Sequence, residues 1–474
     1  MSVERGDEGL PVGWSLTLDA GVRRLDNGRV LIGGSPLRIL RLTPDGASWL
    51  DEILTGQQLP SSSAVRLLAR RLVDAGMANP VPSPGGPTLG QVAVVVPVLD
   101  DPAGLKRTLA TLGPVGEVVV VDDGSQDHAG IESIAVGATL LRNPRPLGPA
   151  AARERGWRAV SQPVVAFVDA GVVAAPGWLQ PLLAHLGDPN IGAVAPRVKS
   201  SSGVAPGWLA AYERSRSSLD MGAVAGPIRP GSRVAYAPTA ALVMRREALE
   251  CVGGFDKDLR YGEDVDLVWR MHRSLWGVRY EPAAAVSHPC RDSLGAWIRQ
   301  RARYGTSAAP LWRQHGSAVA PLHVSGWSAL AWTAFALRRP VAGVAIAGGT
   351  TAALAWKLRG LTQPARSALL IAGKGNVWAG LSIAAAIRGP WWPPAVALAV
   401  GSRRLRPALV MAGVLPAIVN RESKPRSLDP VRFASLGLID DLAYGAGVWL
   451  GCLRARSFGA LLPSSPGLPP ELRR

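Results

Sequence analysis

The sequence predicts an α/β protein. A Rossmann-like domain with helices on both faces of its sheet is preceded by a small winged-helix-like α+β domain and followed by an apolar, basic helical tail. Three observations carry this. Valine-rich runs such as "QVAVVVPVLD" and "EVVVVDDGSQD" alternate with helical stretches, as buried strands of a parallel sheet do. A hairpin signal and two short helices fill the first 80 residues. Charge divides by position: residues 1–300 hold 31 Lys or Arg against 30 Asp or Glu, and residues 301–474 hold 21 against 5, which together give the net +17.

With 474 residues the chain has room for two or three domains, and composition divides it at 1–80, 81–90, 91–310 and 311–474. Cys251, Cys290 and Cys452 are distant in sequence and odd in number. That excludes a disulfide framework or a cysteine-bound zinc and fits a reducing compartment. The opening "MSVERGDEGLPVGW" lacks the apolar core of a secretory signal, so a cytoplasmic protein is expected.

In the first region, "VRRLDNGRVLIGG" sets Asp26-Asn27-Gly28 between two alternating runs, which predicts a hairpin. "LTPDGASWLDEIL" supplies Thr43 as a helix cap and Pro44 in the first turn, with Ala47, Leu50, Ile53 and Leu54 on one face. "SSSAVRLLARRLVDAG" predicts a second helix that buries Val65, Leu68 and Leu72, displays Arg66, Arg70 and Arg71, and stops at Gly76. This order resembles the peptide-recognition domains of ribosomal-peptide modification systems, such as that of pyrroloquinoline quinone biosynthesis. The resemblance implies that a peptide adds as a strand to the hairpin edge. Near-neutral charge in this half argues against nucleic acid, whose phosphates need a net basic face. Residues 81–90, in "NPVPSPGGPTLG", read as a linker.

Beyond it the alternation is strand, helix, strand. "QVAVVVPVLD" ends at Pro97 and Asp100, "PAGLKRTLATLG" is a helix, and "EVVVVDD" ends on Asp122 and Asp123. "PLGPAAARERGWRAV" is a helix carrying Arg153, and "VVAFVDAGV" is a strand stopped by Asp169. Three strands ending on Asp100, Asp123 and Asp169 would set those acids along one edge of one sheet, where ligands bind in such folds. "RYGEDVDLVWRM" opens a helix with Glu263 and Asp264 in its first turn, where acids suit the helix dipole. Each of two adjacent carboxylates also raises its neighbour's proton affinity, which favours a base.

"VVVPVLD", "VVVVDDGSQD", "AFVDAGV" and "GGFDKDLRYGEDVDLVWRM", in this order, resemble the family 2 glycosyltransferases of GT-A fold, over residues 91–304. The three regions together resemble the glycosyltransferases of mycofactocin systems. The resemblance implies an inverting hexosyltransferase that moves glucose from UDP-glucose to a peptide-derived redox cofactor by single displacement, with repeated additions that build an oligosaccharide. It places Pro97, Asp100 and Asp123 at the nucleoside, Arg153 at the diphosphate, and Asp264 as the base with Glu263 orienting it. It makes Asp169 the first acid of a metal motif for Mg²⁺ or Mn²⁺, here Asp169-Ala170-Gly171 without its second acid, and His288 a further metal ligand. Trp269 is read as core, and Asp266 and Arg270 as holding their helix in place.

The tail joins "GWSALAWTAFALRRP", "VAGVAIAGGTTAALAWKLR", "WWPPAVALAV" and "ALVMAGVLPAIV" to clustered Arg and Lys. Its longest apolar run, Val341–Trp356, has 16 residues, short of the roughly 20 of a span. Short spanning hairpins, in-plane helices and a helical bundle are all compatible with it. The basic charge favours an anionic membrane surface on the cytoplasmic face. Two other readings share these residues: a transferase acting on a membrane lipid or polyprenyl phosphate, and an inactive peptide-binding scaffold that has lost its metal at Gly171.

Overall fold

The computed structural model describes residues 8–201, 207–291, 293–419 and 428–465. These form two compact units, one from 1–203 with 216–290 and the other from 204–215 with 291–474.

The first unit begins with β1 (Ser15–Leu18), β2 (Arg23–Leu25), β3 (Val30–Gly33), β4 (Arg38–Arg41), α1 (Pro44–Leu54), α2 (Ser63–Asp74) and β5 (Ala78–Val81). Strands β2, β3 and β4 form an antiparallel sheet, and β1 pairs with β5. The hairpin turn falls at Asp26 and Asn27, both at φ 52°, and Gly28 at φ 83°, a left-handed run that Asn and Gly tolerate. Thr43 caps α1, its Oγ1 accepting from the Gly46 amide at 3.1 Å. Leu10, Leu31, Leu50, Leu72 and Met77 are fully buried in one core.

Two expectations change here. Arg70 is buried rather than displayed, because α2 turns this face toward the larger sheet domain, where Asp188 takes both guanidinium nitrogens at 2.7 and 2.8 Å. The stretch expected to be a linker starts inside β5, whose Val81 pairs with Ser15, and Gly86 lies so close to Leu183 that a Cβ there would meet its carbonyl at 2.5 Å. The connection is packed.

The larger domain runs β6 (Val92–Val98), α3 (Pro102–Leu109), β7 (Glu117–Asp122), α4 (His128–Ile134), β8 (Thr139–Arg142), α5 (Pro149–Arg158), β9 (Val164–Val168) and β10 (Val173–Ala174). It continues through α6 (Leu179–His185), β11 (Ile191–Ser201), α7 (Gly207–Arg216), β12 (Gly226–Pro227), β13 (Ala241–Arg245), α8 (Arg246–Val252), α9 (Glu263–Arg273) and β14 (Gly277–Pro289). Most of α7 belongs to the second unit. The nine-stranded sheet has the order β10-β14-β11-β13-β9-β6-β7-β8, with β12 on β14. Strands β9, β6, β7 and β8 are parallel, whereas β13 runs against both β9 and β11. The sheet is therefore mixed. Val94, Val96, Val120 and Ala166 are wholly buried, which is why these strands read as unbroken apolar runs.

The second unit adds α10 (Leu294–Gly305), α11 (Ala308–His315), α12 (Gly326–Ala336), α13 (Pro340–Lys357), α14 (Pro364–Arg388), α15 (Trp392–Gly401), α16 (Arg406–Val419) and α17 (Pro430–Ala455). Helices α10 and α17 meet backbone to backbone: a Cβ on Gly447 would lie 1.9 Å from the Ala302 carbonyl, and one on Gly451 2.5 Å from that of Thr306. Arg301 pairs with Asp440 at 2.8 Å and Glu213 at 3.0 Å, and Arg388 pairs with Asp441 at 2.8 Å. At 25 and 26 residues, α14 and α17 are long and apolar enough to cross a membrane, so the 16-residue run understated the tail. Glycines and single charges such as Lys374 interrupt their apolar pattern without ending the helices.

Candidate active site

Strands β7, β6 and β9 lie side by side and parallel, so the residues that follow them share one edge of the sheet. Asp122, the last residue of β7, and Asp123, which follows it, have separate tasks. Asp122 Oδ1 accepts from the Ser125 amide at 2.8 Å and holds the turn. Asp123 Oδ1 accepts from Asn143 Nδ2 at 2.7 Å and the Leu147 amide at 3.0 Å, and its Oδ2 accepts from the Gly148 amide at 2.8 Å. Asp123 thereby fastens the loop leading into α5 while lying at the strand tip, 4% exposed. Asp100, at φ 52°, reaches the same turn: its Oδ1 accepts from the Gln126 amide at 2.8 Å and its amide donates to Ser125 Oγ at 3.0 Å. Pro97, three residues before Asp100, faces Val121 across the β6–β7 pairing.

The two acid-bearing regions meet at Arg153. This guanidinium is buried and donates through Nη2 to Asp169 Oδ1 at 2.6 Å and through Nη1 to Glu263 Oε1 at 2.9 Å. Burial alone would favour its neutral form, but Asp169 and then Glu263 more than offset this and hold its pKa above the ordinary arginine value. A bridge from the tip of β9 to the first turn of α9 therefore stands where the sequence suggested a diphosphate ligand. Both terminal nitrogens are committed to carboxylates.

Beside Glu263, Asp264 is half-buried, and its Oδ1 accepts from the Val265 amide at 2.8 Å. Desolvation, and next the like charge of Glu263, push its carboxyl up to about 7. Gly262, at φ 80°, turns the chain into α9. Trp269 is core, as expected, and donates Nε1–H to the Ala235 carbonyl at 2.7 Å. Asp266 pairs with Arg270, whose guanidinium also donates to the carbonyls of Val252 and Gly254.

Two supporting residues escape sequence reading. Glu154, 2% exposed, accepts from Trp157 Nε1, Arg158 Nε and the Phe255 amide, and so fixes the Gly253-Gly254-Phe255-Asp256 turn against α5. Thr108, wholly buried in α3, accepts at Oγ1 from the Gly171 amide at 3.0 Å and donates to the Val172 carbonyl at 2.9 Å. The available signal was polar residues on otherwise inward-facing helix positions.

For a divalent ion the donor set is sparse. Asp169 Oδ1 takes Arg153, while the side chain keeps 28% exposure, which leaves room for one oxygen to reach an ion. Gly171 sits at φ 94°, where a Cβ would lie 3.5 Å from Pro289 and 3.7 Å from Asp101 Oδ2. Next to Pro289, His288 has its Nδ1 2.9 Å from the Pro289 carbonyl oxygen. Among the described residues no group of three or more His, Cys, Asp or Glu could hold a metal. These residues fit an ion carried mainly by a diphosphate, not one resident in the protein.

The model of glycosyl transferase family 2 matches residues 93–253. The chain is a glycosyltransferase, and it belongs to glycosyltransferase family 2. Two relatives over nearly its whole length, from the CDC 1551 / Oshkosh and ATCC 25618 / H37Rv strains of Mycobacterium tuberculosis, are each a "pre-mycofactocin glycosyltransferase". Each is 39% identical over 468 residues, 96% of this chain and 98% of the relative. The validoxylamine A glucosyltransferase of Streptomyces hygroscopicus subsp. limoneus is 35% identical over 123 residues, 23% of this chain and 27% of that one. Among solved structures, the mannosyltransferase PcManGT from Pyrobaculum calidifontis, in complex with GDP-Man and Mn²⁺, aligns at TM-score 0.36 and 19% identity, covering 70% of this chain and 87% of that one.

Proposed function

We propose that this transferase moves glucose from UDP-glucose onto a hydroxyl of a peptide-derived redox cofactor precursor of the mycofactocin type, with inversion, and repeats the addition to build a β-linked chain. The relatives named for pre-mycofactocin, aligned over 96% of the chain, support the acceptor. The observation that carries the chemistry is the Arg153 bridge, which ties the Asp169 strand tip to the helix start bearing Asp264.

Pro97, Asp100 and Asp123 line the nucleoside side of this edge, with Asp123 offering a carboxylate to the uracil N–H. Asp264, poised near neutrality, takes the acceptor hydroxyl proton as that oxygen attacks the anomeric carbon and the bond to the diphosphate breaks. Glu263, anchored by Arg153, keeps its neighbour's proton affinity high. Mg²⁺ or Mn²⁺, held by Asp169 and His288 with the donor phosphates, would neutralise the leaving diphosphate. Arg153 keeps Asp169 aligned for that role. The front domain receives the peptide portion along its hairpin edge, and the basic tail rests on an anionic membrane at the cytoplasmic face.

Incubation with a panel of nucleotide sugars and a mycofactocin-type precursor, read by mass spectrometry, tests this. A hexose increment with UDP-glucose supports it. No increment with any donor, in either Mg²⁺ or Mn²⁺, rejects it, and transfer to a lipid extract alone redirects the acceptor to a membrane lipid.

A further inference from the structure

We infer that the front domain is a positioning part of the catalytic site, acting through Arg229 and Arg233 on the segment between β12 and β13. Arg233 makes a two-pronged pair with Asp19 at 3.0 and 3.1 Å, and its amide donates to Ser35 Oγ at 2.5 Å. Arg229 donates to the carbonyl of Asp74 at 2.6 Å and that of Ser35 at 2.7 Å. Both arginines sit on one short turn closed by Ser232, whose Oγ donates to the Val234 carbonyl at 2.6 Å. That turn is also sewn to β14, the Ile228 amide donating to the Val278 carbonyl at 2.8 Å.

The segment leads directly to the site. One residue past Val234, the Ala235 carbonyl accepts from Trp269 Nε1 on α9, the helix that begins with Glu263 and Asp264. Five residues further, the Ala240 carbonyl accepts from the Asp169 amide at 3.0 Å, and β13 then pairs with β9. Residues 226–240 are therefore held at one end by the front domain and at the other by both acid-bearing elements. Asp19 is 6% exposed, and although burial opposes its charge, the Arg233 bonds lower its pKa, so the carboxylate is committed to this contact. Loss of the pair frees the 226–234 turn, and the slack passes to Trp269 and the Asp169 backbone. The front domain would then be needed even for reactions in which no peptide occupies it.

Full-length Arg233→Ala, Arg229→Ala and Asp19→Asn variants test this by backbone hydrogen exchange. The expected result is exchange faster by about tenfold in peptides covering 235–240 and 262–270, remote from the substituted contact, with the 92–98 strand unchanged. Arg233→Lys, which keeps the charge, should restore part of the protection. Faster exchange confined to residues 8–81 and 226–234 would overturn the inference, whatever donor the enzyme uses. A second readout is hydrolysis of the donor by water, which needs no peptide. The inference expects kcat to fall in Arg233→Ala with the donor KM little changed, and an unchanged kcat would overturn it. Failure of the wild-type chain to turn over any donor would count against the proposed reaction, and the exchange result would stand apart from it.

Discussion

Asp264 is the side chain on which the proposed chemistry turns, and its environment fixes a pH signature. Because burial and Glu263 raise its pKa to about 7, the base is in working form only above that value, so kcat should climb as pH passes through 7 and level off by pH 8. Asp264→Asn should lower kcat by roughly 10²–10⁴-fold with donor binding retained, measured by calorimetry with the nucleotide sugar. Stability should move the other way. A carboxyl whose folded pKa lies above its unfolded value costs stability once pH exceeds the unfolded value, and the full cost is felt above the folded one. Asp264→Asn should therefore raise Tm at pH 8 and leave it nearly unchanged at pH 3. Arg153→Met is the complementary case: it strands two carboxylates beside each other and should destabilise the fold by about 3–5 kcal/mol in denaturant titration.

At the scale of elements, the acids at the strand ends were legible because a strand buried on both faces leaves no ambiguity about where its apolar run stops. The run Val118 to Val121 stops at Asp122 and Asp123, whose buried carboxylates accept hydrogen bonds from the turn and loop that follow. The short helix α4 was not legible, since His128–Ile134 buries one residue, Ile131, and shows no periodic face. Nor could α5 reveal which of Arg153, Arg155 and Arg158 turns inward: 3.6-residue spacing gives a direction only relative to a known core face. Arg70 was assigned to solvent for the same reason, because the partner surface came from residues more than 100 positions away. In the tail, Asp440 and Asp441 interrupt the apolar run of α17, and Gly447 is what lets that helix touch α10. Gly447→Ala, a helix-favouring change elsewhere, should here cost about 1–3 kcal/mol by overpacking, seen as a lower Tm.

For the whole molecule, the division of charge predicts behaviour on lipid. Trp327, Trp356 and Trp378 are each about two-thirds exposed in a region carrying most of the net +17. The full chain should co-sediment with vesicles containing phosphatidylserine, bind poorly to purely zwitterionic ones, and lose binding as salt rises from 0.1 toward roughly 0.5 M. Binding insensitive to both lipid charge and salt would point to insertion of α14 or α17 instead. The forked grip of Arg70 on Asp188 carries a different implication. Any front module grafted from another chain would arrive without that guanidinium and leave a carboxylate marooned under the graft. Exchange of the front module, an easy route to new behaviour for loosely tethered proteins, is closed to this enzyme unless both sides of the seam change together.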